Sequence, residues 1–278
     1  MNKKISMIAT EQDLLNKIDE LTKTKNEFLE SLHYASFVQL GVLSHKRHFI
    51  RNFKDFFILY HPHNIIGGDL YWTTRKGKYV FLAVGDCTCH GVSGAILTVL
   101  AISYLNYILL NKEINHAGEI LDHLDEKWIE TFQQGAKKLH NNDWMEISIC
   151  VYNTETSEID FAGANSKALI IKQNGEQIEC IGNKYPIGGW QLEQNRKYTT
   201  QTIEVLSGDM IYLFSDGFKD QFSGHTGKRL TKKNFYNLLS NSFNLPCESQ
   251  KNYLNQELIN WMGSEIQTDD VCVVGVRF

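Results

Sequence analysis

The chain has 278 residues, of which 42% are hydrophobic and 22% charged, so it folds as one large domain or two smaller ones and is not intrinsically disordered. A net charge of −4 leaves no basic footprint for nucleic acid. The six cysteines (87, 89, 150, 180, 247 and 272) form no CxxC pair and no zinc spacing, which predicts free, mostly buried thiols in a reducing cytoplasm. No cleavable signal and no stretch of about 20 apolar residues is expected, so the sequence predicts a cytoplasmic protein without a membrane span.

In chain order, Leu14, Ile18, Leu21, Lys25, Phe28, Leu32, Ala35, Gln39 and Val42 repeat at alternating spacings of four and three. This is a heptad stripe, the seam either of a coiled coil that pairs two chains or of an amphipathic helix lying on its own domain. Lys25 and Gln39 are polar intrusions that weaken it. A run leading into Gly85-Asp86 (Tyr79 to Val84) reads as a strand, and residues 92–110 as a buried helix. Residues 117–140 form a more polar helix with Ile120, Leu124, Trp128 and Phe132 on one face. Strands are predicted over 147–152, 158–162, 168–172, 176–181, 198–205 and 210–214. Asn174-Gly175 marks a hairpin. A helix over 248–262 precedes a last strand over 271–278. Hairpin strands with long helices predict an α+β fold, an antiparallel assembly covered by helices.

Four aspartates stand where these strands begin or end: Asp69, Asp86, Asp216 and Asp269, the last followed by Asp270. Taken singly each is an ordinary turn residue. Together, carboxylates at the ends of several strands suit a hard divalent cation, which prefers oxygen ligands.

Six segments carry a resemblance: Ile66-Gly67-Gly68-Asp69-Leu70-Tyr71-Trp72, Ala83 to Ala95 (with Gly85-Asp86 and His90-Gly91), Phe161 to Asn165, Tyr185 to Gly188, Leu213 to Gly217, and Thr268-Asp269-Asp270-Val271. In this order they resemble the SpoIIE/RsbU-type serine phosphatases, the bacterial branch of the metal-dependent PPM (PP2C-like) phosphatases, over residues 50–278. The resemblance implies an α/β/β/α four-layer sandwich: two antiparallel sheets flanked by helices over 49–278, behind a coiled-coil-like helical segment at 1–48. It implies two divalent cations, Mn²⁺ or Mg²⁺, with Asp86 bridging them, Cys87 offering its backbone carbonyl, Asp216 and Asp269 on the second ion, and Asp69 binding metal or its waters. Asp270 either joins them or caps the loop. Glu146 stands where the family pattern would place an Asp near a third ion, which puts that extra site in doubt. The chemistry implied is hydrolysis of phosphoserine or phosphothreonine by a metal-activated water.

His90 would protonate the leaving oxygen, or else cap the following helix. Asn165 faces the cleft or is a turn residue. The resembled loop has glycine where this chain has Cys89, so either the loop needs no positive φ or the site is distorted. Cys89 would confer oxidation sensitivity only if exposed and of low pKa. The implied substrate is a small phosphorylated STAS-type regulatory protein, such as an anti-sigma-factor antagonist, and the N-terminal helices would form a homodimer that controls the enzyme. The competing reading is a pseudophosphatase that keeps the fold and binds a partner.

Overall fold

The computed structural model describes residues 2–134, 143–189 and 196–278. Two antiparallel sheets stack face to face. The first has strand order β1 (Asp55–His61), β11 (Val271–Arg277), β10 (Met210–Phe214), β6 (Lys167–Ile171), β7 (Gln177–Ile181). The second runs β2 (Asp69–Lys76), β3 (Tyr79–Cys87), β4 (Trp144–Asn153), β5 (Glu158–Ala164), β9 (Gln201–Glu204), with β8 (Ile187–Gly188) pairing with β4. Between the sheets lies a core of Val80, Leu82, Val84, Phe161, Ile170, Ile211, Val274 and Val276. Strands of the two inner faces thus bury alternate residues against each other.

Each outer face is covered by helices. α3 (Gly91–Asn111) and α4 (Ala117–Gln134) bury Leu97, Ala101, Leu105, Leu121 and Trp128 on the second sheet. α6 (Lys232–Ser242) and α7 (Cys247–Met262) bury Phe235, Leu239, Leu254 and Leu258 on the first. The expected α/β/β/α sandwich is therefore present.

α3 departs from expectation in composition. An 18-residue stretch of this 21-residue helix reaches a mean hydropathy of 1.8, long and apolar enough to cross a membrane by that measure. Its buried positions pack within the same core cluster as Trp72, Phe81 and Ile120. The strand expected over 198–205 is shorter, since only residues 201–204 pair with β5. Tyr198 instead turns inward to hydrogen-bond the Pro186 carbonyl. The hairpin at Asn174-Gly175 forms as expected, with Gly175 at φ +88° between β6 and β7. The end of the helix expected over 117–140 falls outside the described residues from 135 onward.

The N-terminal stripe divides. α1 (Asn2–Val42) exposes Leu14, Ile18, Leu21 and Phe28, whereas Gln39 is only 3% exposed. The Gln39 amide donates to the Gly67 carbonyl at 2.7 Å and its oxygen accepts from the Gly67 N–H at 3.4 Å. The polar intrusion thus has a structural reason: it satisfies both backbone groups of a buried glycine. α2 (Lys46–Asn52) follows and sends Phe49 into the inter-sheet core.

Candidate metal centre

The carboxylates gather at one end of the sandwich because strand register puts them there. Asp69, the first residue of β2, is paired with Asp86 on β3, and Asp86 is paired with Glu146 on β4. From the other sheet, Asp216 follows β10 and Asp269-Asp270 precede β11, two neighbouring antiparallel strands. Ser215 locks these ends together: its N–H donates to the Cys272 carbonyl and its Oγ accepts from the Cys272 N–H, both at 2.9 Å. The Ser215 hydroxyl also donates to Asp69 Oδ2 at 2.6 Å, tying one sheet to the other through a site residue.

Asp69 is fully buried and has one partner, leaving its Oδ1 with none; Asp216 Oδ1 is likewise buried and unpartnered. An unpaired buried carboxylate oxygen is costly unless a cation meets it. Burial, with Asp86 and Asp270 adding repulsion, pushes the Asp69 carboxyl well above the usual range. Burial, then Asp216 and Asp269, does the same to Asp86. Burial also raises Asp216, Asp269 and Glu146, each partly offset: Asp216 by Lys219, Asp269 by the Asp270 N–H, and Glu146 by a 2.5 Å hydrogen bond from Asn165. Among the described residues, no three of these side chains yet stand close enough to form a finished ligand set. The donor chemistry nevertheless fits hard cations: acidic oxygens, two of them orphaned, in a common field of like charge.

Asp270 has the loop-capping part. Its two oxygens accept from the His63 and Gly68 N–H groups, both at 2.6 Å. This requires Gly67, where a side chain would run into the Asp270 carboxylate. Gly68 is needed too, since a Cβ there would lie 2.7 Å from the Cys89 carbonyl and 2.8 Å from that of Cys87. Gly94 lets α3 approach the Cys89 carbonyl, and Gly91 takes φ +68°.

Cys87 itself is buried, and burial raises its thiol pKa. His90 occupies the N-cap position of α3 but makes no side-chain cap, and its exposed ring lies beside that of His63. Asn165 satisfies both readings, with a left-handed φ of +50° and its amide on Glu146 in the cleft.

Cys89 does adopt positive φ, at +78°. Burial and the Asp143 carboxylate raise its thiol pKa, so it is exposed but lacks the low pKa that ready oxidation needs. A side chain in the left-handed region costs about 1–2 kcal/mol. Cys89→Gly should therefore raise stability by roughly 1 kcal/mol, after subtracting the added freedom of glycine in the unfolded chain. A denaturant midpoint that stays put or falls would contradict this.

Three residues of the site carry no motif signal strong enough to single them out from sequence. His63, six residues before Asp69, holds its ring centroid 6.1 Å from that of His90, with Nδ1 buried and unpartnered. Ser215 and Lys219 flank Asp216 within a motif that draws attention only to its aspartate. Lys219 Nζ lies 3.8 Å from Asp216 Oδ2.

Comparison with known proteins bears on the fold that carries these residues. The family model for stage II sporulation protein E (SpoIIE) matches residues 76–278. Among solved structures, the SiaA PP2C domain of Pseudomonas aeruginosa superposes with a TM-score of 0.81 at 25% identity, covering 92% of this chain and 98% of that one. The PP2C phosphatase domain of SpoIIE from Bacillus subtilis, solved with a fragment of its regulatory domain, gives 0.65 at 14% identity, covering 81% and 63%. RsbX in complex with magnesium gives 0.56 at 14%, covering 80% and 94%. No curated protein sequence matches. The chain belongs to the SpoIIE family and carries a PP2C-type serine/threonine phosphatase domain.

Proposed function

We propose that this chain is an active, metal-dependent protein serine/threonine phosphatase, with two divalent cations, Mn²⁺ or Mg²⁺, held by Asp86, Asp216, Asp269 and the Cys87 carbonyl, and with Asp69 on metal or its waters. The observation that carries this reading is the arrival of carboxylates from both sheets at one end of the sandwich, Asp69 buried, Asp86 and Asp216 half-buried and Asp269 exposed, with Asp69 Oδ1 and Asp216 Oδ1 left buried and unpartnered. That RsbX was solved in complex with magnesium is in keeping with it. When bound, such ions supply a water activated at neutral pH and neutralise charge on the phosphoryl oxygens.

The protein's own residues prepare that chemistry. Asp86 pairs with Asp69 on one side and Glu146 on the other in the sheet, which supports the reading that it would hold metal. The Ser215 hydroxyl fixes one oxygen of Asp69 and leaves the other without a partner. Asp270 braces the glycine turn, fixing the backbone behind Asp69. His90, exposed at the N-cap of α3, would deliver a proton to the departing seryl oxygen. The substrate class that fits the family is a small phosphorylated STAS-type protein. Loss of a site carboxylate would have favoured a pseudophosphatase, and Asp69, Asp86, Asp216 and Asp269 are all present. Phosphate release from a phosphoserine peptide with Mn²⁺, abolished by chelation, tests the reading; no release with Mn²⁺ would refute it.

The helical segment 1–48 is proposed to pair two chains through the exposed part of α1. Leu21 and Phe28, 62% and 60% exposed, lie on the stripe and cover nothing of their own domain. The double substitution Leu21→Asp, Phe28→Asp should halve the mass measured by light scattering. An unchanged mass would rule out pairing through this stripe.

A further inference from the structure

Next to Asp216 the cleft carries a cation of its own. α5 (Gly217–Asp220) places Lys219 one turn after Asp216, and its ammonium donates to Asp220 Oδ2 at 3.2 Å while standing 3.8 Å from Asp216 Oδ2. Glu146 lies within the same field, influenced by Asp216, Lys219 and Asp220 together. Lys219, Asp86, Glu146 and Asp216 all line one cleft of about 120 Å³. Two more lysines reach that cleft, Lys167 and Lys232, but both are held by the Glu179 carboxylate, at 3.5 and 2.9 Å.

Lys219 is differently placed, because neither of its carboxylates depends on it. Asp220 has a second cation, Arg229, at 3.4 Å. Asp216 is a metal-binding residue in the reading above, and a divalent cation on its unpartnered Oδ1 would weaken the pull of its Oδ2 on an ammonium already 3.8 Å away. The side chain is 28% exposed and flexible enough to turn toward the open cleft. What arrives there is a dianionic phosphoryl group.

We infer that Lys219 binds the phosphoryl group of the substrate, supplying a permanent positive charge beside the metal centre. This rests on the phosphatase reading and adds a protein ligand to it. A charge-assisted hydrogen bond between an ammonium and a phosphoryl oxygen in a partly enclosed cleft is strong enough to change binding by about 10–100-fold.

The test uses the full chain loaded with Mn²⁺, as wild type, Lys219→Met and Lys219→Arg. Two quantities are read: KM and kcat for a phosphoserine peptide, and the Kd of inorganic phosphate by calorimetry. Lys219→Met should weaken phosphate about 10–100-fold and raise KM by a similar factor, at an unchanged melting temperature. Lys219→Arg should recover most of both, because the charge and donors remain. Unchanged KM and phosphate Kd in Lys219→Met, with wild type active, would overturn the inference and leave the phosphatase standing. Wild type that neither releases phosphate from the peptide nor binds it would overturn both.

Discussion

Asp86→Asn should lower Mn²⁺-dependent phosphate release by more than about 100-fold, the loss already typical when only an outer partner of a metal ligand is removed. It should do so without unfolding the protein. Asp86 is largely buried, and its carboxyl faces Asp216, Asp269 and Glu146, so the metal-free fold holds it at an electrostatic cost. Asparagine keeps the shape and removes that charge. The metal-free variant should therefore be more stable than wild type, by roughly 1–3 kcal/mol. Activity lost with stability gained is the signature of a residue kept for function. A variant that loses both would mean that Asp86 serves the fold instead.

Metal removal should destabilise the protein increasingly as pH rises. Asp69, Asp86, Asp216, Asp269 and Glu146 all have carboxyls raised above their unfolded values. Between the unfolded value near 4 and the raised native values, the native state binds more protons than the unfolded one. Stability of the metal-free chain then falls with increasing pH through that window. Asp209 acts oppositely: against the effect of burial, hydrogen bonds from the Leu206 and Gln173 N–H groups and the Lys172 ammonium hold its carboxyl low, so its contribution is lost only in more acid solution. Divalent ions at 100 times their Kd contribute about 2.7 kcal/mol, or roughly 5–10 °C in melting temperature for a domain of this size. The gap between Mn²⁺-loaded and chelated protein should be wide at pH 8 and narrow near pH 5. A gap independent of pH, or one widening toward acid, would show that the raised carboxyls are not where metal acts.

The aspartates were legible in the sequence because each stands at the start or the end of an apolar run, and strand ends are where side chains from separate strands can meet. An antiparallel assembly covered by helices was legible for a related reason, as hairpin signals and long apolar helices leave few ways to bury both kinds of face, whereas the four-layer sandwich came from the family resemblance. Gln39 was not. As a polar residue in an apolar stripe it reads as a defect, and only the tertiary fold brings Gly67, 28 residues away, within its reach. His63 and Lys219 were hidden similarly, since a single histidine or lysine has no periodicity to betray it. The short β9 shows tertiary demand overriding an extended pattern, because Tyr198 is needed on Pro186. Cys89 was legible as an anomaly, and its φ of +78° locates the strain in the loop between Asp86 and His90.

The most direct test of a two-metal centre built on Asp86 is electron paramagnetic resonance of the protein titrated with Mn²⁺. Wild type should take up two ions per chain and develop the spectrum of an exchange-coupled pair, with Asp86→Asn showing isolated ions only. A wild-type chain that saturates with one uncoupled Mn²⁺, or with none, would contradict the account.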